Sequence, residues 1–353
     1  IYIGGGAVGA ELGEEIMALA EKIDAVIGCS LMGLTGVPSD YERFLGLQGM
    51  HGHYASSAAQ NSADLILGVG VRFSDRATGD KKKYAKKANI IHIDVDRSEI
   101  DKIIPASVGI AGDLVDAFRR IAAKSKKASH PEWIKQVEEF KAREELTKKP
   151  SDELTPPELF DIINGVTKGE ALVATDVGQH QMWAAQYCKF RYPRTIVTSG
   201  GLGTMGFGLG ASIGAYIGGH RKTLLITGDG SFGMNLNELA TAVTYKIPVI
   251  IVLFNNGVLG MVRQWQSLFF NKHYSATTLD RKTDFVKLAE AFGAKGVRTN
   301  TKEAFKAAFT EAYETADGPV VIDCKINEDE LVLPMLPPGG SMDDLIIEKE
   351  EDL

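Results

Sequence analysis

Two apolar runs in this chain end in unusual turns. The run at 224–227 leads into Gly228-Asp229-Gly230-Ser231, and the run at 249–254 leads into Asn255-Asn256. Short apolar runs bounded by turn residues read as buried strands, and residues 234–246 between them read as a helix. Together they make one βαβ unit. Its two strands can lie parallel and adjacent. Asp229 and Asn256, 27 residues apart, are then both expected just beyond the carboxyl ends of their strands. Open α/β sheets bind ligands at that edge.

The residue types at these two turns suit a metal-bridged diphosphate. Asp229 and the amide oxygen of Asn256 are hard ligands of the kind Mg²⁺ takes, in small number, beside phosphate and water. Gly228 and Gly230 let the backbone approach phosphate, and the start of the following helix offers free N–H groups to an anion. Taken singly, Asp-Gly and Asn-Asn are common turn dipeptides. Their pairing, spacing and position after strands are what single them out.

The rest of the chain is organised around similar units. Residues 1–124 alternate apolar runs at 1–3, 25–27, 65–71 and 90–95 with amphipathic stretches, such as 11–22, and predict a first α/β domain. The run at 1–3 passes straight into Gly4-Gly5-Gly6, a strand ending in a tight turn. A chain opening in this way, at Ile1, is expected to be cut from a longer one. Residues 125–155 are rich in lysine, with a polar helix near 132–145 and then Lys148-Lys149-Pro150, and read as a linker. Thr155-Pro156-Pro157-Glu158 has the cap, prolines and acid of a helix start. Residues 156–330 form a second α/β domain, with further strands expected at 171–175, 195–198 and 320–325. The tail at 331–353, with several prolines and an acidic end, reads as an extended arm. The fold class is therefore α/β, with two doubly wound parallel-sheet domains.

Composition excludes several other roles. The net charge of −7 gives nucleic-acid binding no support, and no run of 18 apolar residues suggests a membrane span. Cys29, Cys188 and Cys324 are odd in number and form no CxxC, so they read as buried apolar side chains in a reducing, cytoplasmic setting.

The two turns resemble the thiamin-diphosphate motif of pyruvate decarboxylases, oxidases and acetolactate synthases. By that resemblance Asp229, Asn256 and the Val258 carbonyl would bind the metal. Neighbouring segments are similar to those of acetolactate synthases. Gly178-Gln179-His180-Gln181-Met182-Trp183 resembles the segment that reaches the diphosphate through Gln179 and His180. Gly200-Gly201-Leu202-Gly203-Thr204-Met205-Gly206 is similar to the segment whose methionine, here Met205, holds the cofactor bent. Gly260-Met261-Val262-Arg263-Gln264-Trp265 resembles the lining of the substrate channel, where Trp265 would bias the choice of acceptor. Val332-Leu333-Pro334-Met335 looks like the carboxyl-terminal arm that closes over the site.

The first domain resembles the FAD-binding domain of the biosynthetic branch. The matching segments are Gly49-Met50-His51-Gly52 and Val71-Arg72-Phe73-Ser74-Asp75-Arg76. Ser74 stands where the family pattern has an acid. Gly4, Gly5, Gly6, Met50, His51, Gly70, Arg72, Asp75, Arg76 and Asp94 form the flavin set that this implies.

The implied reaction condenses two pyruvates, or pyruvate and 2-ketobutyrate, to a 2-acetohydroxyacid with loss of CO₂, FAD being structural. Implied partners are small 2-ketoacids, a second copy or three further copies, and a small regulatory subunit. The glutamate that activates the cofactor's aminopyrimidine ring belongs to an amino-terminal domain with no counterpart in this chain, so the chain alone is expected to be nearly inactive. Two other readings stand beside this one: a related thiamin carboligase or oxidase acting on another ketoacid, and a non-catalytic module that kept the fold.

Overall fold

Twelve strands, most of them formed by apolar runs, lie among the described residues of the computed structural model, which are 1–146, 154–280 and 282–348. The expected basic stretch at 148–150 and the acidic end at 349–353 lie outside them. The chain divides into two units, each built on one six-stranded parallel sheet. One comprises residues 1–150, 190–194 and 333–353; the other comprises 151–189 and 195–332.

The first sheet contains β1 (Tyr2–Ile3), β2 (Ile27–Cys29), β3 (Phe44–Leu47), β4 (Leu65–Val69), β5 (Asn89–Asp94) and β6 (Val108–Ala111). Its order is β3-β2-β1-β4-β5-β6, a doubly wound arrangement that reverses direction between β1 and β4. The helices of this unit are α1 (Gly5–Gly9), α2 (Gly13–Ile23), α3 (Tyr54–Ser62), α4 (Asp75–Thr78), α5 (Leu114–Lys124) and α6 (Pro131–Leu146).

One strand expectation needs correction here, and two further segments take definite structure. The strand read at 25–27 runs instead from Ile27 to Cys29, because α2 continues to Ile23 and Asp24 turns the chain in a left-handed conformation. The stretch read as a linker carries α6, which packs on α3: Val137 is buried with Leu45 and Ala59, and Trp133 and Phe140 flank them. Glu144 also ties α6 to the start of α3, accepting hydrogen bonds from the Ala55 N–H at 3.0 Å and facing His53 Nδ1 at 2.6 Å. The tail, read as an extended arm, belongs from Leu333 to the first unit. Met335 and Ile346 pair in an antiparallel bridge, Leu336 N–H donates to the Met50 carbonyl, and Asp80 N–H donates to Gly340.

The second sheet contains β7 (Leu172–Thr175), β8 (Ile196–Val197), β9 (Thr223–Gly228), β10 (Val249–Asn255), β11 (Lys295–Thr299) and β12 (Val320–Lys325). Its order is β11-β12-β10-β9-β7-β8, so the winding reverses between β7 and β9. Around it lie α7 (Pro156–Thr167), α8 (Gln179–Tyr187), α9 (Gly208–Gly219), α10 (Asp229–Asn235), α11 (Leu239–Thr244), α12 (Gly260–Phe269), α13 (Phe285–Phe292) and α14 (Lys302–Thr315). The cap and prolines at 155–158 start α7 as expected, with a reciprocal Thr155–Glu158 capping box. The single helix expected at 234–246 is instead two, α10 and α11, joined by a short 3₁₀ turn, and the first of them begins at Asp229. Strands β9 and β10 are buried along their whole length, and their core includes Leu225, Ile251, Leu253, Phe285 and Val321. All three cysteines are free and buried. No helix among the described residues is long and apolar enough to cross a membrane.

Candidate functional site

Strands β9 and β10 are parallel neighbours, with Gly228 opposite Phe254. Asp229 opens α10 directly after β9, and Asn256 follows the last residue of β10. The register thus puts both at one edge of the sheet. The Gly257 N–H donates to Asp229 Oδ2 at 3.1 Å and ties the two turns together. Asn256 Oδ1 accepts the Val258 N–H at 3.2 Å. Val258 forms an antiparallel bridge with Thr278 through the bonds Leu259 N–H to Thr277 and Leu279 N–H to Gly257. These bridge bonds leave the Val258 carbonyl unused.

The segment after β7 enters the same cluster, because β7 is the other neighbour of β9. Asn256 Nδ2 donates to Gln179 Oε1 at 3.3 Å, and Gln179 Nε2 donates to Gln264 Oε1 at 3.0 Å and to the Glu330 carbonyl at 2.7 Å. Gln264 in turn accepts the Val332 N–H at 2.8 Å. Gly260 is what lets Gln179 reach in. A Cβ there would overlap Gln179 Oε1 and stand 3.0 Å from Asn256 Nδ2. Ser231 Oγ donates to the Val177 carbonyl at 2.7 Å, joining α10 to the β7 end.

His180 is buried between two glycines. A Cβ on Gly178 would lie 2.8 Å from its Cε1, and one on Gly228 would lie 2.9 Å from its Nδ1. Burial pushes the ring's pKa down to about 3, against a smaller opposing contact with the Asp176 backbone, so the imidazole is neutral. Its Nε2 has no partner among the described residues. Met205 approaches from the loop before α9, its Cε 3.7 Å from where a Cβ on Gly230 would stand.

Asp229 is only 5% exposed, and burial lifts its carboxyl from the ordinary 3.8 to about 6. Bonds from backbone N–H groups and the charge of Lys325 offset part of that rise. A buried carboxylate at the carboxyl edge of a parallel sheet, destabilised by lost hydration, is a good seat for a cation. The described residues hold no group of three or more His, Cys, Asp and Glu side chains able to share a metal. What they offer is one carboxylate, one amide oxygen and one backbone carbonyl, which fits a hard ion that keeps water or phosphate ligands.

Asp176 went unrecognised in the sequence. It is buried, and its Oδ1 accepts the Gly206 N–H at 2.8 Å and the Val177 N–H at 3.1 Å. Its Oδ2 accepts the Thr227 hydroxyl at 3.3 Å. This carboxylate joins the β7 end, the Met205 loop and the end of β9. Burial raises its pKa against those bonds. Its position immediately after an apolar run was the available signal.

Met261 and Trp265 occupy successive turns of α12. With Val262, Phe269 and Phe270 they line an open apolar cavity of about 660 Å³. Trp265 meets Phe269 edge to face at 5.7 Å.

In the first unit, Gly4, Gly5 and Gly6 follow β1, Gly70 follows β4 and Asp94 ends β5, all at the carboxyl edge where the winding reverses. Gly4 and Gly6 pack directly on Gly70: a Cβ on Gly6 would stand 2.7 Å from Gly70 Cα. These glycines are thus needed for two turns to meet. Met50 N–H donates to the Arg76 carbonyl at 2.7 Å. His51 is buried, and burial together with the Arg76 charge lowers its pKa to about 4. Arg72 is exposed, and so is the Arg76–Asp75 pair, 2.8 Å apart. Asp94 is buried and accepts the Asp96 N–H at 2.9 Å.

Comparison with known proteins agrees with both units. Residues 1–121 match the family described as thiamine pyrophosphate enzyme, central domain. Residues 176–324 match thiamine pyrophosphate enzyme, C-terminal TPP binding domain. The acetolactate synthase large subunit of Haemophilus influenzae is 38% identical over 100% of this chain and 63% of its own length. The isozyme 2 large subunit of Escherichia coli is 40% identical over 98% of this chain and 63% of its own length. The large subunit of Corynebacterium glutamicum is 40% identical over 98% of this chain and 57% of its own length. The chain therefore spans less than two thirds of these relatives. With both domains matched and homology running along its whole length, the chain belongs to the thiamine pyrophosphate enzymes, as a relative of the acetolactate synthase large subunits.

Proposed function

We propose that this chain is the central and carboxyl-terminal part of an acetolactate synthase catalytic subunit. The whole protein would condense two pyruvates, or pyruvate and 2-ketobutyrate, to 2-acetohydroxyacids with release of CO₂. The observation that carries the reading is the meeting of Asp229, Asn256 and Gln179 at the carboxyl ends of adjacent parallel strands, in a chain homologous throughout to these enzymes.

The residues present fit Mg²⁺ and a diphosphate. Asp229, Asn256 and the Val258 carbonyl would hold the metal. Gln179, on giving up its bond to the Glu330 carbonyl, and the Nε2 of His180, which has no partner among the described residues, would face phosphate oxygens, with Gly178, Gly228, Gly230, Ser231 and Gly260 lining the cradle. Bound thiamin diphosphate supplies the electron sink for decarboxylating a 2-ketoacid. This chain's share is to hold the diphosphate away from water, brace the cofactor through Met205 and shape the acceptor's approach with Met261 and Trp265.

FAD, in a structural role, belongs to the same proposal. Support comes from the winding reversal between Gly4–Gly6 and Gly70, with Asp94 one strand further along the same edge, and from the exposed guanidiniums of Arg72 and Arg76, planar donors suited to phosphate. The glutamate that activates the aminopyrimidine ring is assigned to the part of the relatives that this chain does not span. Small 2-ketoacids, self-association as a dimer or tetramer, a small regulatory subunit and a cytoplasmic setting complete the reading.

The test is acetolactate formation from pyruvate by the whole polypeptide, with thiamin diphosphate, Mg²⁺ and FAD omitted one at a time. Product that needs all three is the expected result. Product without FAD removes the flavin assignment. Untouched pyruvate redirects the reading to another ketoacid.

A further inference from the structure

The geometry points to Asn255 and Asp323 as a positioning pair that sets where Asn256 and the Gly257–Val258 backbone leave the sheet. The inference rests on the diphosphate reading of the second unit and deepens it.

Asp323 lies in β12 and is 1% exposed, on a sheet whose neighbouring side chains are Ile251, Leu253 and Val321. A carboxylate is unfavourable there unless it is paired and hydrogen-bonded. Both its oxygens are used. Asn255 Nδ2 donates to Oδ1 at 2.7 Å, and Arg298 Nε donates to Oδ2 at 3.0 Å. Arg298 continues outward to Asp284 at 2.7 Å, and Asp284 caps α13 by accepting the Val286 and Lys287 N–H groups. The chain of bonds thus runs from a helix cap near the surface to the last residue of β10.

Strand register does not need this arrangement. The ladder already pairs β10 with β12 from Ile250 to Asn255. The pair acts instead on the exit of β10. Asn255 is held at its carbonyl by the Ile326 N–H at 3.3 Å and at its side chain by Asp323. Gly257 then turns the chain with φ +72°, and a Cβ there would meet nothing within 4 Å. Between the anchor at Asn255 and the Val258–Thr278 bridge, two hydrogen bonds reach other site segments: Asn256 to Gln179 and Gly257 to Asp229. The direction in which Asn256 and the Val258 carbonyl point therefore depends on the anchor. Groups that orient a ligand from behind commonly govern metal affinity as strongly as a ligand does.

The experiment compares the wild-type chain with Asn255→Leu and with the exchange Asn255→Asp plus Asp323→Asn. The exchange keeps a donor facing a carboxylate and leaves Arg298 an oxygen to bond. Mg²⁺ is titrated by calorimetry at fixed thiamin diphosphate, below the melting range fixed by circular dichroism. Asn255→Leu is expected to raise the Mg²⁺ concentration for half-saturation by about tenfold or more, and the exchange to return it most of the way. In the ligand-free chain, amide exchange at Gly257 should quicken by about tenfold in Asn255→Leu and recover in the exchange, with Val252 unchanged. Unaltered Mg²⁺ titration and Gly257 exchange in folded Asn255→Leu overturn the inference. So does an exchange variant that regains thermal stability but not Gly257 protection. A wild-type chain that shows no Mg²⁺-dependent binding of thiamin diphosphate sinks the diphosphate reading instead, while Gly257 exchange still decides the role of the pair.

Discussion

Replacing Asp229 by Asn should make the ligand-free chain more stable above pH 6 and unable to bind thiamin diphosphate through Mg²⁺. Asp229 is buried, and its carboxyl rises from 3.8 to about 6 chiefly through lost hydration. At about 1.4 kcal/mol per pH unit, that rise is worth at most about 3 kcal/mol. The sign follows from proton counting. Between pH 4 and pH 6 the folded chain keeps this proton and the unfolded chain has lost it. Stability from Asp229 is thus present at low pH, falls through that window and stays lost above it. The Asn variant has no such loss. Asp176, also raised, is common to both proteins and cancels in the difference. For a domain of this size, about 3 kcal/mol corresponds to a midpoint gap of about 6–12 °C. Thermal melts followed by circular dichroism at pH 4, 5, 6 and 7 should show the gap opening across the window. Adding Mg²⁺ and thiamin diphosphate at pH 7 should then stabilise the wild type alone. A gap that is the same at pH 4 and pH 7 would refute the desolvation argument. Equal stabilisation of both proteins by the ligands would refute the metal assignment.

Three further outcomes are expected. Gly260→Ala forces Gln179 out of its place beside Asn256, so calorimetry should show Mg²⁺-dependent thiamin diphosphate affinity reduced by about tenfold or more; unchanged affinity would remove Gln179 from the site. Gly70→Ala puts a Cβ 2.5 Å from Gly6 Cα at a residue with φ +57°, so it should destabilise the first unit by about 3 kcal/mol or more whether or not FAD is added. A shift in urea midpoint equivalent to under about 1 kcal/mol would count against the turn-packing role. Trp265→Leu lies on the open face of α12. In the whole enzyme it should change the ratio of acetohydroxybutyrate to acetolactate from mixed ketoacids while leaving the melting profile in place; an unaltered ratio would place Trp265 outside the acceptor's path.

Much of the second unit was legible in the residues. The runs at 224–226 and 249–254 are apolar throughout, as strands covered on both faces must be, and the glycine and asparagine turns that follow mark where the strands end. The glycines at 4–6 marked a strand end in the same way. Of the four edge strands, β8 was expected at 195–198, but β3, β6 and β11 were not read from the sequence. Strand β6 is largely exposed and β11 alternates irregularly, so neither shows the apolar run that marked the central strands. The docking of α6 was hidden for a related reason: Trp133, Val137 and Phe140 make a narrow stripe within a polar helix that resembles a linker.

The chain order of residues set which turns carry carboxylate, amide and glycine. The order of strands in the sheet, β12-β10-β9-β7, decided which of those turns meet. That order brought Gln179 to Asn256, Asp176 to Gly206, and Asp323 to Asn255. Fully buried parallel strands look alike in sequence, because each is apolar on both faces. Their neighbours are therefore selected by the packing of the whole sheet, and a buried carboxylate finds its donors only once that sheet has formed.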